Sequence, residues 1–503
     1  MEPLFITTTI PYVNGDPHIG HALEYIQADA VARAHRVLGR DVHFLTGTDE
    51  NSLKNVQAAE KAGRPVADFV AEKAGEFYRF RDSLNISFDD FIRTTEYRHV
   101  AGAQKFWQAC DPEDIYKKTY QGLYCVGCEL FYTEDELVDG KCVEHQREPE
   151  LVEEENYFFR LSRYEHHIRD LIANDIIRVY PENKKNETLA FIDRGLEDFS
   201  ISRSHERAHG WGIPVPDDES QIMYVWFDAL TNYITALGYA EESERYRTYW
   251  VQKGTNRHVI HVLGKGVARF HLIYWIGMLL SAGVPLPTEE YIHGYITLNG
   301  EKISKSLGNV VHPQELVDRY GTDAVRYYML GAISPNQDGD WSDDRFTLYY
   351  NAHLANGVGN LTSRILTMLE KYSEGKVPAR TDDSFHLESL VEETYDAVLS
   401  YRFDDAVKSI HVIVGKLDET ISTEKPWEKV KAGEDIDSLL YALSEGLRQL
   451  SIALLPIMPR TAEEILQRLS YSVGNKTLAE LQTWGQMETG TIVSKGEILF
   501  ERR

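Results

Sequence analysis

The first fifty residues narrow the choice of fold most. Leu4 to Ile10, "LFITTTI", is rich in β-branched residues and reads as a buried strand. "PYVNGDP" follows with dense turn chemistry. Apolar residues then recur at Ile19, Leu23, Ile26, Ala30, Ala34 and Leu38, in steps of three and four that trace one face of a helix. Gly39 reads as its stop, and "DVHFLTGTD" as a second strand. Strand, loop, long helix and strand make a βαβ unit, which requires a parallel sheet and an α/β fold. Ligands of such sheets bind beyond the carboxyl ends of the strands, where helix N-termini offer free N–H groups to phosphates. His18 and His21 fall at that point. Their rings can donate hydrogen bonds to phosphate oxygens, and Gly20 leaves a flat surface that a planar base can approach. Read locally, two surface or capping histidines fit the segment equally well.

The remaining sequence bounds the class. The chain has 503 residues, too many for one core, so two to four domains are expected. Its 43% hydrophobic and 26% charged residues are ordinary for a soluble globular protein. The longest apolar stretch, "LIYWIGMLL" (Leu272 to Leu280), is too short to cross a bilayer. "MEPLFITTT" carries no signal-peptide pattern, so a cytoplasmic protein without a membrane partner is expected. The net charge of −26 argues mildly against a nucleic-acid partner. Locally basic stretches such as "KKTYQG" and "NRHVIHVLGKGVARFH" weaken that argument.

Cysteine usage and one lysine loop add chemistry. Apart from Cys110, the cysteines lie in "YCVGCELFYTEDELVDGKCVEH". Cys125 and Cys128 form one short knuckle, and Cys142 with His145 a second. Thiolates and an imidazole at such spacing suit a structural zinc ion. Reduced free cysteines and a Cys125–Cys128 disulfide are the alternatives, the latter disfavoured in a reducing compartment. His166 and His167 compete with His145 as the fourth ligand. In "GEKISKSLGNV", Lys302 and Lys305 alternate with Ser304 and Ser306 between two glycines. Such a loop can close lysines over a polyphosphate; an exposed polar loop explains it as well.

Taken together, "HIGH" after the first strand and "KISKS" late in the chain resemble the signature pair of class I aminoacyl-tRNA synthetases. "TTIPYVNGDPHIGHA", "LTGTDE", "YCVGCE", "EEENYFFRLS", "ISRS", "WGIPVP", "MYVWFDALTNY" and "GKGVARFH" extend the resemblance to the methionyl-tRNA synthetase family over nearly the whole chain. The resemblance implies a Rossmann-type parallel-sheet catalytic domain in two halves, 1–115 and 213–300, around a connective insertion with a zinc knuckle at 116–212. It implies a KISKS loop and stem-contact linker at 301–350 and an α-helical bundle that binds the anticodon at 351–503. Amphipathic runs such as "IDSLLYALSEGLRQLSIALL" fit that bundle.

The implied substrates are L-methionine, ATP with Mg²⁺, and tRNA(Met). His18, His21, Lys302, Lys305 and Arg203 would act at the reacting phosphates, with Tyr12, Gly20 and Ser304 also at ATP. Ile10, Tyr12, Asp49, Trp226, Ala229, Tyr233, Val267 and His271 would hold methionine, Asp49 by its ammonium. A Tyr or His donor near the sulfur would separate methionine from leucine. Cys125, Cys128, Cys142 and His145 would hold structural Zn²⁺. Asn360, Arg364 and Trp427 would read the anticodon. A monomer is expected. The chain departs from many relatives in "GTDENS" for GTDEHG, in Gly266 for Asp, in Leu230 for Pro and in Ile303 for Met. The rivals are an adenylate-forming enzyme with another acceptor, a non-catalytic RNA-binding relative, and a class I enzyme for another hydrophobic amino acid.

Overall fold

The computed structural model describes residues 2–125, 130–132, 134–143, 146–251, 257–302 and 310–503. The expected start is present as strand Pro3–Thr8, helix Ile19–Val37 and strand Asp41–Thr48. The first strand stops two residues before Ile10, because the Thr9 N–H turns to Glu24 Oε1 at 2.8 Å. Six parallel strands follow the order Asp90–Arg93, Asp41–Thr48, Pro3–Thr8, His258–Gly264, Glu289–His293 and Arg178–Tyr180. The order reverses between Pro3–Thr8 and His258–Gly264. A crevice therefore opens at their carboxyl ends, where the Ile19–Val37 helix begins.

Each face of the sheet has its own core. One holds Phe5, Phe106, Trp226, Tyr233 and Trp275. The other runs from Leu4 and Ile26 through Tyr328 to Leu443 and Trp484, so the C-terminal helices share a core with the first helix. Those helices include Asn360–Tyr372, Glu388–Leu399, Phe403–Glu424, Asp437–Leu454 and Pro459–Arg468. Pro459 opens the last of them in its first turn, where a missing N–H costs nothing. Asp437–Leu454 is buried on every side from Leu440 onward. Its Glu445 is satisfied by the N–H groups of Gly485, Gln486 and Met487, and Arg448 by the carbonyls of Leu481 and Thr483.

The structure redraws the expected boundaries of the insertion. Arg178–Tyr180, placed by sequence inside 116–212, is the edge strand of the catalytic sheet. Ser202–Ser204 pairs with Gln221–Met223, so the 212/213 boundary cuts a small sheet. The end of the chain, "EILFERR", forms no strand. Phe500 instead packs edge-on against Tyr350 at 6.0 Å, and the Arg503 N–H donates to Asn351 Oδ1 at 2.9 Å. The terminus lies against a helix and meets no sheet edge.

Asp29 and Arg326 lock the domains together. Both side chains are fully buried, 2.8 Å apart. Arg326 also donates to the carbonyls of Leu84, Pro456 and Ile457, and Asp29 Oδ1 accepts from Ser87 N and Oγ, both at 2.6 Å. Burial alone would raise the Asp29 pKa, but Arg33, Arg326 and Ser87 outweigh it and hold the group at about 2. A carboxylate held below its ordinary value stabilises the fold above that value, and the contribution is lost as pH falls from about 4 to about 2. Arg326→Met should cost about 3 kcal/mol in urea unfolding at pH 7, because Asp29 loses one of its two cationic partners, the fully buried one. Asp29→Asn should flatten the acid limb of stability between those pH values.

Candidate functional site

The helix N-terminus at the crevice is organised by its two histidines. His18 is the N-cap: its Nδ1 accepts from Gly20 N at 3.1 Å, and His21 Nδ1 accepts from His18 N at 3.1 Å. This reciprocal capping spends both Nδ1 lone pairs, so each neutral ring carries its proton on Nε2. The rings stack at 3.8 Å between centroids, and Phe77 meets His21 edge-on at 5.1 Å. Gly20 is required by this arrangement, since a Cβ there would stand 2.9 Å from the His18 ring. The Ile19 N–H donates to the Val311 carbonyl at 3.1 Å. The segment just after the lysine loop is thereby tied to the histidine turn. The strand Glu301–Lys302 pairs antiparallel with Ile296–Leu298. The side chain of Lys302, and all of Ser304 and Lys305, lie outside the described residues.

Sequence reasoning missed a neighbouring pair. Glu24, one turn beyond His21, accepts from Thr9 N and meets His293 Nε2 at 2.9 Å. His293 Nδ1 faces the Gly294 carbonyl at 2.8 Å. Glu24 and His293 are 7% and 5% exposed, so the crevice keeps an ionisable pair out of bulk water. The only signal was an acidic residue on an otherwise apolar helix face.

The proposed methionine residues converge on the other side of the crevice. Tyr12 forms a parallel bridge with Asp49 and lies edge-on to Trp226 at 6.3 Å. Trp226, in helix Val225–Leu230 with Ala229, stacks on Phe270 at 3.6 Å and 7°. Ile10 and Val267 pack on the same core. Tyr233 Oη lies 2.6 Å from His271 Nε2, and His271 Nδ1 lies 2.9 Å from the Val267 carbonyl. Burial pushes the His271 pKa down to about 4, so the ring is neutral with its proton on Nδ1. Tyr233 must then donate to Nε2. The donor expected for a thioether is already committed inside the protein.

Arg203, 7% exposed, lies over Tyr124 and Tyr224 and donates to Tyr124 Oη at 3.0 Å. Tyr224 caps the helix that carries Trp226. Next to Tyr124, Cys125 Sγ stands 3.3 Å from Cys142 Sγ, both buried and free of disulfides. Cys128 and His145 lie outside the described residues. His166 and His167 stand in the helix Glu165–Ala173. Cys110 is buried, and burial pushes its thiol up to about 12. In the bundle, Asn360 is exposed at the head of its helix, Arg364 pairs with Asp418, and Trp427 is 38% exposed in helix Pro426–Ala432.

Two departures have a geometric answer. A Cβ on Gly266 would lie 2.0 Å from the Tyr295 hydroxyl. Lys265, whose charge balance Gly266 put in question, pairs with Asp338 at 2.7 Å. Leu230 is 2% exposed and packs in the core behind Trp226.

Comparison with known proteins gives this geometry its family. The family described as tRNA synthetases class I (M) matches residues 4–146 and 132–366, and the anticodon-binding domain of tRNA ligase matches 385–501. A methionine–tRNA ligase of Thermotoga maritima is 40% identical over 99% of this chain and 80% of its own length. That of Brucella suis is 41% identical over 95% and 94%. The chain belongs to the methionyl-tRNA synthetases. It is a class I methionine–tRNA ligase. The structure of the Mycobacterium tuberculosis methionyl-tRNA synthetase in complex with methionyl-adenylate superposes with a TM-score of 0.92, at 37% identity and full coverage of both chains.

The glycine between the synthetase's histidines gives a direct test. Ala is the better helix former, so Gly20→Ala should leave the melting temperature unchanged or raised. The displaced His18 ring should lower the rate of amino-acid-dependent ATP–pyrophosphate exchange about tenfold or more.

Proposed function

We propose the following division of labour. Methionine lies with its ammonium on Asp49 and its side chain among Ile10, Tyr12, Trp226, Ala229, Tyr233, Val267 and His271. ATP, accompanied by Mg²⁺, lies on the helix N-terminus at Tyr12 and Gly20. A methionine carboxylate oxygen attacks the α-phosphorus, the bond to the β-phosphate breaks, and pyrophosphate leaves with the electron pair. His18 and His21, each with its proton on Nε2, donate to the phosphate oxygens as charge builds on them. Lys302, Ser304 and Lys305 hold the leaving pyrophosphate, and Arg203 balances charge at the reacting groups. The terminal ribose of tRNA(Met) then attacks the acyl carbon and releases AMP. Asn360, Arg364 and Trp427 bind the anticodon, Trp427 by stacking.

The observation that carries this reading is the Ile19–Val311 hydrogen bond. It supports a lysine loop anchored on the histidine turn, so that the two signatures act on one polyphosphate.

The buried pair of thiols supports zinc. At a Zn–S length near 2.3 Å, two thiolates on one tetrahedral ion stand about 3.8 Å apart, and 3.3 Å is close to that. Cys125, Cys128, Cys142 and His145 would hold the ion, which would supply structure and no reaction chemistry. The proposed state is a monomer. The proposed setting is the cytoplasm.

ATP–pyrophosphate exchange tests the reading. Methionine should support exchange, while leucine, isoleucine, valine and cysteine should not. His21→Ala and Lys305→Ala should each lower the rate by about 10²-fold or more. Exchange with no amino acid would sink the assignment. Metal analysis should find one equivalent of zinc, lost in Cys142→Ser.

A further inference from the structure

We propose that Asn51 is a positioning residue for methionine selection, joining the carboxylate that binds the substrate ammonium to the helix that carries the side-chain pocket. The proposal rests on the assignment of Asp49, Trp226 and Ala229 made above.

Asn51 touches both halves. Its backbone N–H donates to Asp49 Oδ1 at 3.2 Å. Its side-chain amide spends its two protons on Asp228 Oδ2 at 2.8 Å and on the Thr94 carbonyl at 3.1 Å. Asp228 lies between Trp226 and Ala229 in sequence, in the helix Val225–Leu230, and is fully buried. Its other oxygen meets His99 Nε2 at 2.6 Å, and His99 Nδ1 meets Thr235 Oγ1 at 2.8 Å.

This helix cannot hold its own position. It has six residues and no side-chain cap at Tyr224, and a helix that short is not stable alone. Trp226 stacks on Phe270, Phe227 packs on Phe106 and Trp107, and the polar attachment is the Asp228 carboxylate, gripped by Asn51 and His99. Asp49 and the helix approach from segments 177 residues apart, taking Asn51 to Asp228 as the link. Beside the Tyr12 contact to Trp226, this amide is the hydrogen-bonded link that sets the separation between the ammonium site and the apolar pocket. That separation decides which side-chain length fits. The neighbouring histidines at the phosphate site take no part in these bonds, so the effect should be confined to the amino acid.

The consequences differ from those of a merely structural contact. Asn51→Ala removes the donor and leaves Asp228 with His99 alone. A hydrogen bond to a charged group is lost, so the KM for methionine should rise about tenfold, with the KM for ATP within about twofold of the original. The preference for methionine over ethionine, one methylene longer, should fall about fivefold in kcat/KM. Asn51→His restores an N–H donor at this place and should bring the methionine KM back to within about threefold. Asn51→Ser, too short to reach Asp228, carries the same comparison where Asn51→Ala does not fold.

Pyrophosphate exchange with both substrates varied reads all of these. Methionine and ATP KM values that move together, or a methionine KM that does not move, would overturn the proposal. Asp49→Asn separates this failure from failure of the underlying assignment. An unmoved methionine KM in Asp49→Asn overturns the site and the proposal with it. A raised one there, with none in Asn51→Ala, overturns the proposal alone.

Discussion

The burial of Asp29 against Arg326 is the constraint on which the rest of the architecture depends. Two charges at 0% exposure are tolerated only when all their oxygens and nitrogens are partnered. Here they are: Ser87 and Arg33 complete Asp29, and three carbonyls complete the guanidinium. Those carbonyls come from Leu84 in the catalytic half and from Pro456 and Ile457 at the bend between two bundle helices. Lysine has no planar fork to reach them together, so the joint needs arginine. Asp29 sits mid-way along the helix that His18 caps. Fixing that helix between sheet and bundle fixes the direction of its N-terminus, and so of both imidazoles.

The crevice that results is electrically specific. The two caps consume the Nδ1 lone pairs and leave N–H groups of one orientation at the phosphate side. Across the crevice, the Val267 carbonyl fixes the His271 tautomer and the Tyr233 hydroxyl follows. Protonation states are thus set by hydrogen bonds inside the protein before any substrate binds, which is what electrostatic preorganisation requires. A net charge of −26 repels polyphosphates in general. In the division of labour proposed above, binding depends on these few fixed donors and on the lysine loop, the segment after which is tied to Ile19 through Val311.

What the sequence made legible follows the range of each interaction. Capping at His18 and His21 spans three residues, and the strand–helix–strand pattern is local, so both could be read directly. Gly20 was read as a flat surface for a base; its role in making room for the His18 ring appears only when the ring is in place. Trp226, Tyr233 and His271 have the periodicity of ordinary core residues and were separable from it only by resemblance to a family. Arg178–Tyr180 is three residues without alternation, and its place in the catalytic sheet is decided by an edge the sequence does not display. "EILFERR" shows the converse, since a strand-like composition forms no strand without a partner. Glu24 and His293, 269 residues apart, are joined by strand order alone.

The pocket's own hydrogen bonding also bears on how a thioether is chosen. With Tyr233 donating to His271, and His271 donating to Val267, these two side chains are satisfied inside the protein, and the buried indole N–H of Trp226 is the donor left over. A substrate side chain bearing a hydroxyl or a charge would lose its water and meet little beyond that one donor, a cost of about 1–3 kcal/mol for each buried neutral polar group left unpaired. A thioether asks for no hydrogen bond and gains from polarizable contact with aromatic edges. Polar amino acids are thus excluded by desolvation. Leucine, isoleucine and valine, equally apolar, can be excluded only by shape and length, through the positions of Trp226 and Ala229 relative to Asp49. With the pocket as proposed, selectivity becomes a matter of distances between rigid elements, to which groups buried behind the pocket wall contribute along with those that line it.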